Sequence, residues 1–415
     1  MAAQCPVRPG SYNPFVNPQR DDPHPVWHAA REQLPVQWSE VLVAWVVTRY
    51  DLVRQAVSTP AIFRNVGSTA PVRPVPAEVT AVLDRGLPLG ELRSTVARDG
   101  DEHRRIRKFL VSVLTPRRFG GIEEQCRSTA NQLIDRFIGE GKVDLVEAFA
   151  YRLPLAVIVE LMATPHADAE KLHDWSSKKM ALQWGELPLE DHLEAAEAYL
   201  EFQEYLLAVV RDRRARPGTD VISELIGVQV DERPLTDAEI VGVMMGFVAA
   251  GHETTMNFLA LTVLHCLERP GTWQSLVDDP RLIPKLVEES LRFDSPAQAI
   301  WRTVGEDTEL GGVALAAGAR VLLVLASANR DAEVYADADV MTPTRDHESP
   351  HLAFGRGVHA CVGAGLARLE GKVALAELTR RLPDLRLADG FTPSFAPNAV
   401  QRFLDTLPVE WHVAR

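Results

Sequence analysis

The chain has 415 residues, 46% of them hydrophobic and 24% charged, and a formal net charge of −13. That composition describes a soluble globular protein with ample material for a large core, and its acidic balance argues against general affinity for nucleic acid or anionic membranes. Four cysteines, Cys5, Cys126, Cys266 and Cys361, lie far apart, which disfavours a disulfide framework or a structural zinc site.

The N-terminal stretch MAAQCPVRPGSYNPF lacks the apolar run of a signal peptide or membrane anchor, so a cytoplasmic protein with no membrane partner is expected. VLVAWVVTRY then reads as a strand pair and YDLVRQAVSTP as a short helix. Over 59–98 the text is rich in Pro and Gly, and a long loop of that kind is either functional or mobile. Helical patterns follow in DEHRRIRKFLVSVL, GIEEQCRSTANQLIDRFI and LVEAFAYRLPLAVIVELM, and again around 169–180 and 192–213. The longest helix is expected over 237–268, with Thr236 and Glu239 spaced as a capping box and Pro270 closing it. It would be roughly 48 Å long at about 1.5 Å per residue, and it is apolar on nearly every side, so it should run through the middle of the molecule. Short strands are expected in AIWRTV, ARVLLVLAS and TLPVEWHV. The expected architecture is one mainly helical domain spanning 1–415, with small β-sheets (α+β).

HLAFGRGVHACVGAG sets Cys361 among Gly355, Gly357, Gly363 and Gly365. These glycines allow positive φ angles and a close approach of backbone to a flat ligand. The following AGLARLEGKVALAELTRRL is an amphipathic helix, so the thiol sits at or just before a helix N-terminus, where N–H groups and the dipole favour thiolate. A thiolate there is a nucleophile or a soft-metal ligand, and His359 as its base is a weak pairing.

FGRGVHACVG resembles the cysteine-ligand loop of the cytochrome P-450 superfamily, Phe-Gly-x-Gly-x-His-x-Cys-x-Gly, with Phe354, Gly355, Gly357, His359, Cys361 and Gly363 matching. The resemblance implies the cytochrome P-450 fold, a long central helix across heme b, and Cys361 as the axial thiolate on iron. Within it, His103 and Arg107, spaced i, i+4 on one helix face, resemble the propionate-binding pair, joined by Arg302 and His359. AAGHETT resembles the oxygen-activation motif: Ala250 and Gly251 leave room beside a diatomic ligand, and Glu253 and Thr254 are the implied catalytic acid and alcohol. A helix-interior Thr can bond a carbonyl one turn back and loosen the helix there; His252 is the variable position and receives no role. Glu289 and Arg292, with Arg345 as third member, resemble the ion-pair group that locks the cysteine loop, a structural role.

By the same resemblance, Gly246, Ala249, Gln298, Ile300, Gln401 and Phe403 line the substrate site, with small side chains leaving space for a bulky or ring-containing molecule and Gln298 as a polar anchor. The implied enzyme is a soluble, bacterial-type monomeric monooxygenase using dioxygen and a small organic substrate. No flavin or iron–sulfur motif is present, so electrons are expected from a ferredoxin or flavodoxin with its reductase. Arg104, Arg105, Lys108, Arg117, Arg118 and Arg356 are the candidate docking patch, and a solvated helix face is the alternative. A peroxide-driven peroxygenase, a radical-coupling enzyme and a heme-thiolate sensor or carrier are the competing functions; the Glu253–Thr254 pair favours oxygen activation.

Overall fold

A computed structural model describes residues 12–230, 233–346 and 350–413; Cys5 falls outside them. The helices that carry the argument are α1 (Tyr50–Ser58), α2 (Gly100–Val113), α3 (Pro116–Phe137), α4 (Arg152–Met162), α5 (Ala169–Trp184), α6 (Leu189–Ala215), α7 (Asp237–Leu267), α8 (Ile283–Phe293) and α9 (Ala364–Arg381). Helix α7 is the expected central element. Its capping box is formed: Thr236 Oγ1 accepts from the Glu239 N–H at 3.2 Å, and Glu239 Oε2 accepts from the Thr236 N–H at 2.8 Å. Buried residues occur all round α7, which a single-faced helix could not show, and it packs against α4, α5, α6, α8 and α9.

The main sheet has five strands, β1 (Val36–Ser39), β2 (Ala44–Val47), β3 (Phe63–Arg64), β4 (Ile300–Val304) and β5 (Arg320–Leu323), in the order β1-β2-β5-β4-β3. The β2–β5 pair is parallel and the other pairs are antiparallel, with Val36 opposite Val47 and Arg320 opposite Thr303. This sheet and α1 share one apolar cluster, while the helices enclose a second and larger one.

Three expectations need correction. VLVAWVVTRY contains one strand of the pair, not both: β1 lies upstream at Val36–Ser39, the chain turns over 40–43 with Val43 at φ 50°, and Tyr50 already starts α1. The 59–98 segment is not structureless, since it holds β3, a helix at Ala77–Leu83 and a short turn at Thr95–Ala97. Between 145 and 162 the chain first makes a wide π-turn at Val146–Ala150, and the regular helix begins only at Arg152. Short, mixed patterns of this kind are settled by the tertiary surroundings.

The 59–98 segment also explains two glycines of α7. A Cβ on Gly242 would lie 2.6 Å from the Leu92 backbone, and one on Gly246 would lie 2.5 Å from Ser94 Cβ. The segment therefore lies directly on the central helix and roofs the space beneath it.

Candidate active site

The cysteine loop is built by backbone geometry. Gly355 (φ 64°) and Gly357 (φ 73°) adopt the left-handed region that only glycine enters freely. The Cys361 N–H donates to the Phe354 carbonyl at 2.8 Å, closing the loop, and the Leu352 N–H donates to Asn329 Oδ1 at 2.6 Å, anchoring it. Gly363, at φ −85°, uses no special conformation. The Arg368 guanidinium of α9 covers the Phe354 ring at 4.6 Å.

Cys361 faces a cavity of about 320 Å³ and is exposed only in the sense that the cavity wall is; around it the protein is deep. Burial pushes its thiol up from the ordinary value. The N–H groups of Gly363 and Ala364 and the charges of Arg107 and Arg368 oppose that push without reversing it. The helix N-terminus acts in the expected direction, toward thiolate, against a larger opposing cost of burial.

Four basic side chains stand in the wall of the same cavity: His103 and Arg107 from α2, Arg302 from β4 and His359 from the loop. The His103 and His359 rings lie 3.8 Å apart, and His359 Nε2 is 3.3 Å from Asp99 Oδ1. Burial, reinforced by repulsion from Arg107, holds His103 low; burial, then His103 and Arg302, take His359 down to about 4. Burial likewise lowers Arg107, and takes Arg302 down to about 10. Neither guanidinium has a carboxylate within 4 Å among the described residues. Two such guanidiniums, one buried and one half-buried, flanked by two imidazoles that can donate ring N–H bonds, stand beside a thiol; that set is complementary to a dianion bearing a soft-metal centre. Heme, with two propionates and iron, has that character, so the residues present fit it.

On the opposite wall, Gly246, Ala249, Ala250, Gly251 and Thr254 of α7 line the cavity. Thr254 Oγ1 donates to the Ala250 carbonyl at 2.7 Å, the back-bond the motif predicts. Gly251 has a packing reason as well as a cavity-facing one, because a Cβ there would meet Ile158 Cδ1 of α4 at 2.5 Å.

Glu253 does not face the cavity. It is fully buried between α7 and α5, where its Oε1 accepts from Ser176 and Ser177 at 2.6 and 2.7 Å. His252 Nδ1 stands 3.3 Å and His173 Nδ1 3.9 Å from that oxygen. Burial raises the carboxyl, yet His252, His173 and the Ser176 hydroxyl outweigh it and hold the group at about 2. Its second oxygen, Oε2, has no hydrogen-bond partner among the described residues. The two residues of the motif thus face different ways: consecutive residues on a helix point about 100° apart, and here the acid takes the direction of α5.

Glu289, Arg292 and Arg345 meet as expected. Arg292 donates to both Glu289 oxygens at 2.8 and 2.9 Å, and Arg345 Nε donates to Oε1 at 2.9 Å. The two guanidiniums also bond the carbonyls of Asn329, Ala336, Asp337, Ala338 and Val340, the segment leading to the cysteine loop. Burial raises the Glu289 carboxyl, and its arginines bring it below the ordinary value.

Of the expected substrate residues, Gly246, Ala249, Ile300 and Gln401 line the cavity. Gln298 does not: its amide donates to the Asn398 carbonyl at 2.9 Å and pins the C-terminal turn. Phe403 also stays out, packed into the helical core. Both corrections concern side chains whose partners come from about 100 residues away or from another layer. Sequence reasoning missed Lys179, Met180, Gln183 and Trp184, all from α5 and all in the cavity wall. The only trace of them is SSKKMALQW, where nothing separates the surface Lys178, paired with Asp174 and Glu194, from the buried Lys179.

The sequence profile of the cytochrome P450 family matches residues 187–383. Cytochrome P450 107B1 of Saccharopolyspora erythraea is 35% identical over 89% of each chain. Nocardicin C N-oxygenase of Nocardia uniformis subsp. tsuyamanensis is 36% identical over 96% of this chain and 98% of its own. Among solved structures, cytochrome P450 CREJ in complex with (4-ethylphenyl) dihydrogen phosphate superposes with a TM-score of 0.92 at 30% identity, covering 97% of this chain and all of that one. Fold and relatives thus define a class of oxidoreductase. The chain belongs to the cytochrome P450 family of monooxygenases, and the family's cofactor is a heme-thiolate. Among the described residues no helix is long and apolar enough to cross a membrane.

Proposed function

We propose that this cytochrome P450 oxidises a small organic molecule held between α5, α7 and the 59–98 roof, and that Cys361 is the residue whose thiolate would hold the iron of heme b. One observation carries the reading: the Cys361 sulfur and the Thr254 side chain line the same cavity, with His103, Arg107, Arg302 and His359 in its wall. Those four would receive the propionates, and Phe354, Gly355 and Gly363, in the same wall, would border the cofactor. Heme, when bound, supplies the activation of dioxygen by two electrons from a donor.

The chain's own residues control the protons. His173, with its side chain 28% exposed, stands where solvent enters; burial and then His252 keep it below its ordinary value, so it is neutral near pH 7 and suited to passing protons. Ser176, Ser177 and Glu253 continue the route inward. Glu253 Oε2, which has no hydrogen-bond partner among the described residues, is the oxygen left to pass a proton on, and on the cavity side Thr254, its own proton committed to Ala250, offers oxygen lone pairs to a polar group or water. The apolar walls exclude bulk water from the reacting centre.

For electron supply, the proposed donor is a ferredoxin or flavodoxin on the thiolate side. The docking patch is narrower than expected, since Arg104 pairs with Asp101 and Arg118 pairs with Glu224 at 2.6 Å. Lys108 and Arg356 are exposed, beside the apolar Val111 and Val358; the Arg117 side chain lies outside the described residues.

The reading is tested by the carbon monoxide difference spectrum of the reduced protein. A strongly red-shifted Soret band that is lost in Cys361→Ser supports it, and its absence from the wild type overturns the ligand assignment.

A further inference from the structure

We infer that the substrate carries an anionic group, a carboxylate in the first instance, which docks on the ε-ammonium of Lys179. The inference rests on the proposed function and specifies the chemistry of that same cavity. Lys179 lies on α5 and is only 6% exposed, yet it contributes to the cavity wall. Its Nζ donates to Gln183 Oε1, one turn on, at 3.0 Å. Among the described residues no carboxylate lies within 4 Å of it. An ammonium has three donors and a full charge; here one donor meets a neutral amide, and the charge meets no counter-ion. The rest of this part of the wall is mostly apolar: Met180, Trp184, Ala249, Leu291, Ile300 and Val400.

A buried cation without a partner costs more free energy than a neutral side chain of the same size, so its place needs a compensating interaction. The guanidiniums of Arg107 and Arg302 are assigned to the propionates in the proposed function, and Lys179 comes from a different element. Glu253 is the protein anion whose field supports Lys179, but it lies beyond salt-bridge distance and is already held by two serine hydroxyls, with imidazole nitrogens of His252 and His173 3.3 and 3.9 Å from the same oxygen. Burial lowers the ammonium to about 8, so it stays largely protonated at neutral pH, and an arriving anion would stabilise that form further. Gln183, in the same wall, has amide N–H donors for a second oxygen. The carboxylate would anchor one end of the substrate at α5, leaving the remainder against Ala249 and Ala250.

The test uses the heme-loaded enzyme and two probes of equal length, dodecanoate and dodecanamide, with binding read by calorimetry and by the Soret shift. The wild type should bind the carboxylate about tenfold or more tightly than the amide, as expected for a charge-assisted bond. Lys179→Met should erase that preference while leaving amide binding within about twofold, and Lys179→Arg should restore part of it. Equal affinities in the wild type, no saturable binding of dodecanoate, or a preference that survives in Lys179→Met each overturn the inference. A Lys179→Met enzyme that keeps the preference but turns over neutral substrates more slowly would assign the lysine to Glu253 instead. The reduced carbon monoxide spectrum separates the two levels: if the wild type lacks the red-shifted band, the heme-thiolate reading fails, whereas a normal band with no anion preference refutes the Lys179 assignment alone.

Discussion

At the scale of single residues, the site divides into groups that face the cavity and groups that stand behind it. Thr254 and Glu253 are neighbours in sequence but point to different compartments, and the proposed proton route depends on both. Glu253→Gln keeps the volume and one carbonyl acceptor while removing the carboxylate that, held ionised at about 2, can accept a proton from the α5 side and pass it on. We expect kcat to fall by about 10²–10⁴-fold, the usual range for a lost acid–base group, with substrate affinity and the Soret band unchanged; stopped-flow and steady-state turnover in normal and heavy water check this. The Cys361 loop was legible in the sequence because its glycines and cysteine act through local backbone. Two of those glycines, Gly355 and Gly357, do occupy the left-handed region. Lys179 was not legible, because burying one lysine of a Lys-Lys pair depends on which face of α5 meets α7, and that is fixed by packing between segments some 70 residues apart.

At the scale of elements, α7 could be read from its text since long periodicity and a capping box agree with each other. The short pieces around 40–64 could not, because strands of two to four residues have too little pattern of their own. The Glu289–Arg292–Arg345 group ties the 329–340 segment, upstream of the cysteine loop, to α8. Its hydrogen bonds span five carbonyls of the 329–340 segment, so Arg292 is a structural strut as well as an ion-pair member. Removing it leaves Glu289 buried with half its compensation and several carbonyls orphaned. Arg292→Ala should destabilise the protein by about 3–5 kcal/mol, visible as a lower urea midpoint. It should also lower the heme-to-protein ratio in purified enzyme before any change in substrate preference. Retained heme and an unchanged midpoint would show that the segment holds itself.

At the scale of the whole molecule, a second buried charge group ties distant segments together. Asp294 Oδ2 meets His265 Nε2 at 2.9 Å, and its Oδ1 lies 3.3 Å from Arg402 Nε, joining the end of α7, the chain after α8 and the C-terminal stretch. Burial raises the carboxyl, but Arg402 and His265 overcome that and hold it far below the ordinary value near 3.8. A depressed carboxylate contributes stability that is complete above its unfolded value and is lost as pH falls toward the folded one. The gap in melting temperature between wild type and Asp294→Asn should therefore be widest at pH 6–7 and shrink below about pH 4. On the thiolate side, charge reversal at Lys108 and Arg356 should slow ferredoxin-supported turnover, most strongly at low salt; equal rates at low ionic strength would remove the patch from the electron route. The hydrogen bonds from Ser176 and Ser177 to Glu253 reach further than proton supply. Those serines and Lys179 occupy a single turn of α5, one side of it gripping the acid and the other walling the cavity. A guest held at Lys179 would therefore bear on the same helical turn that holds Glu253.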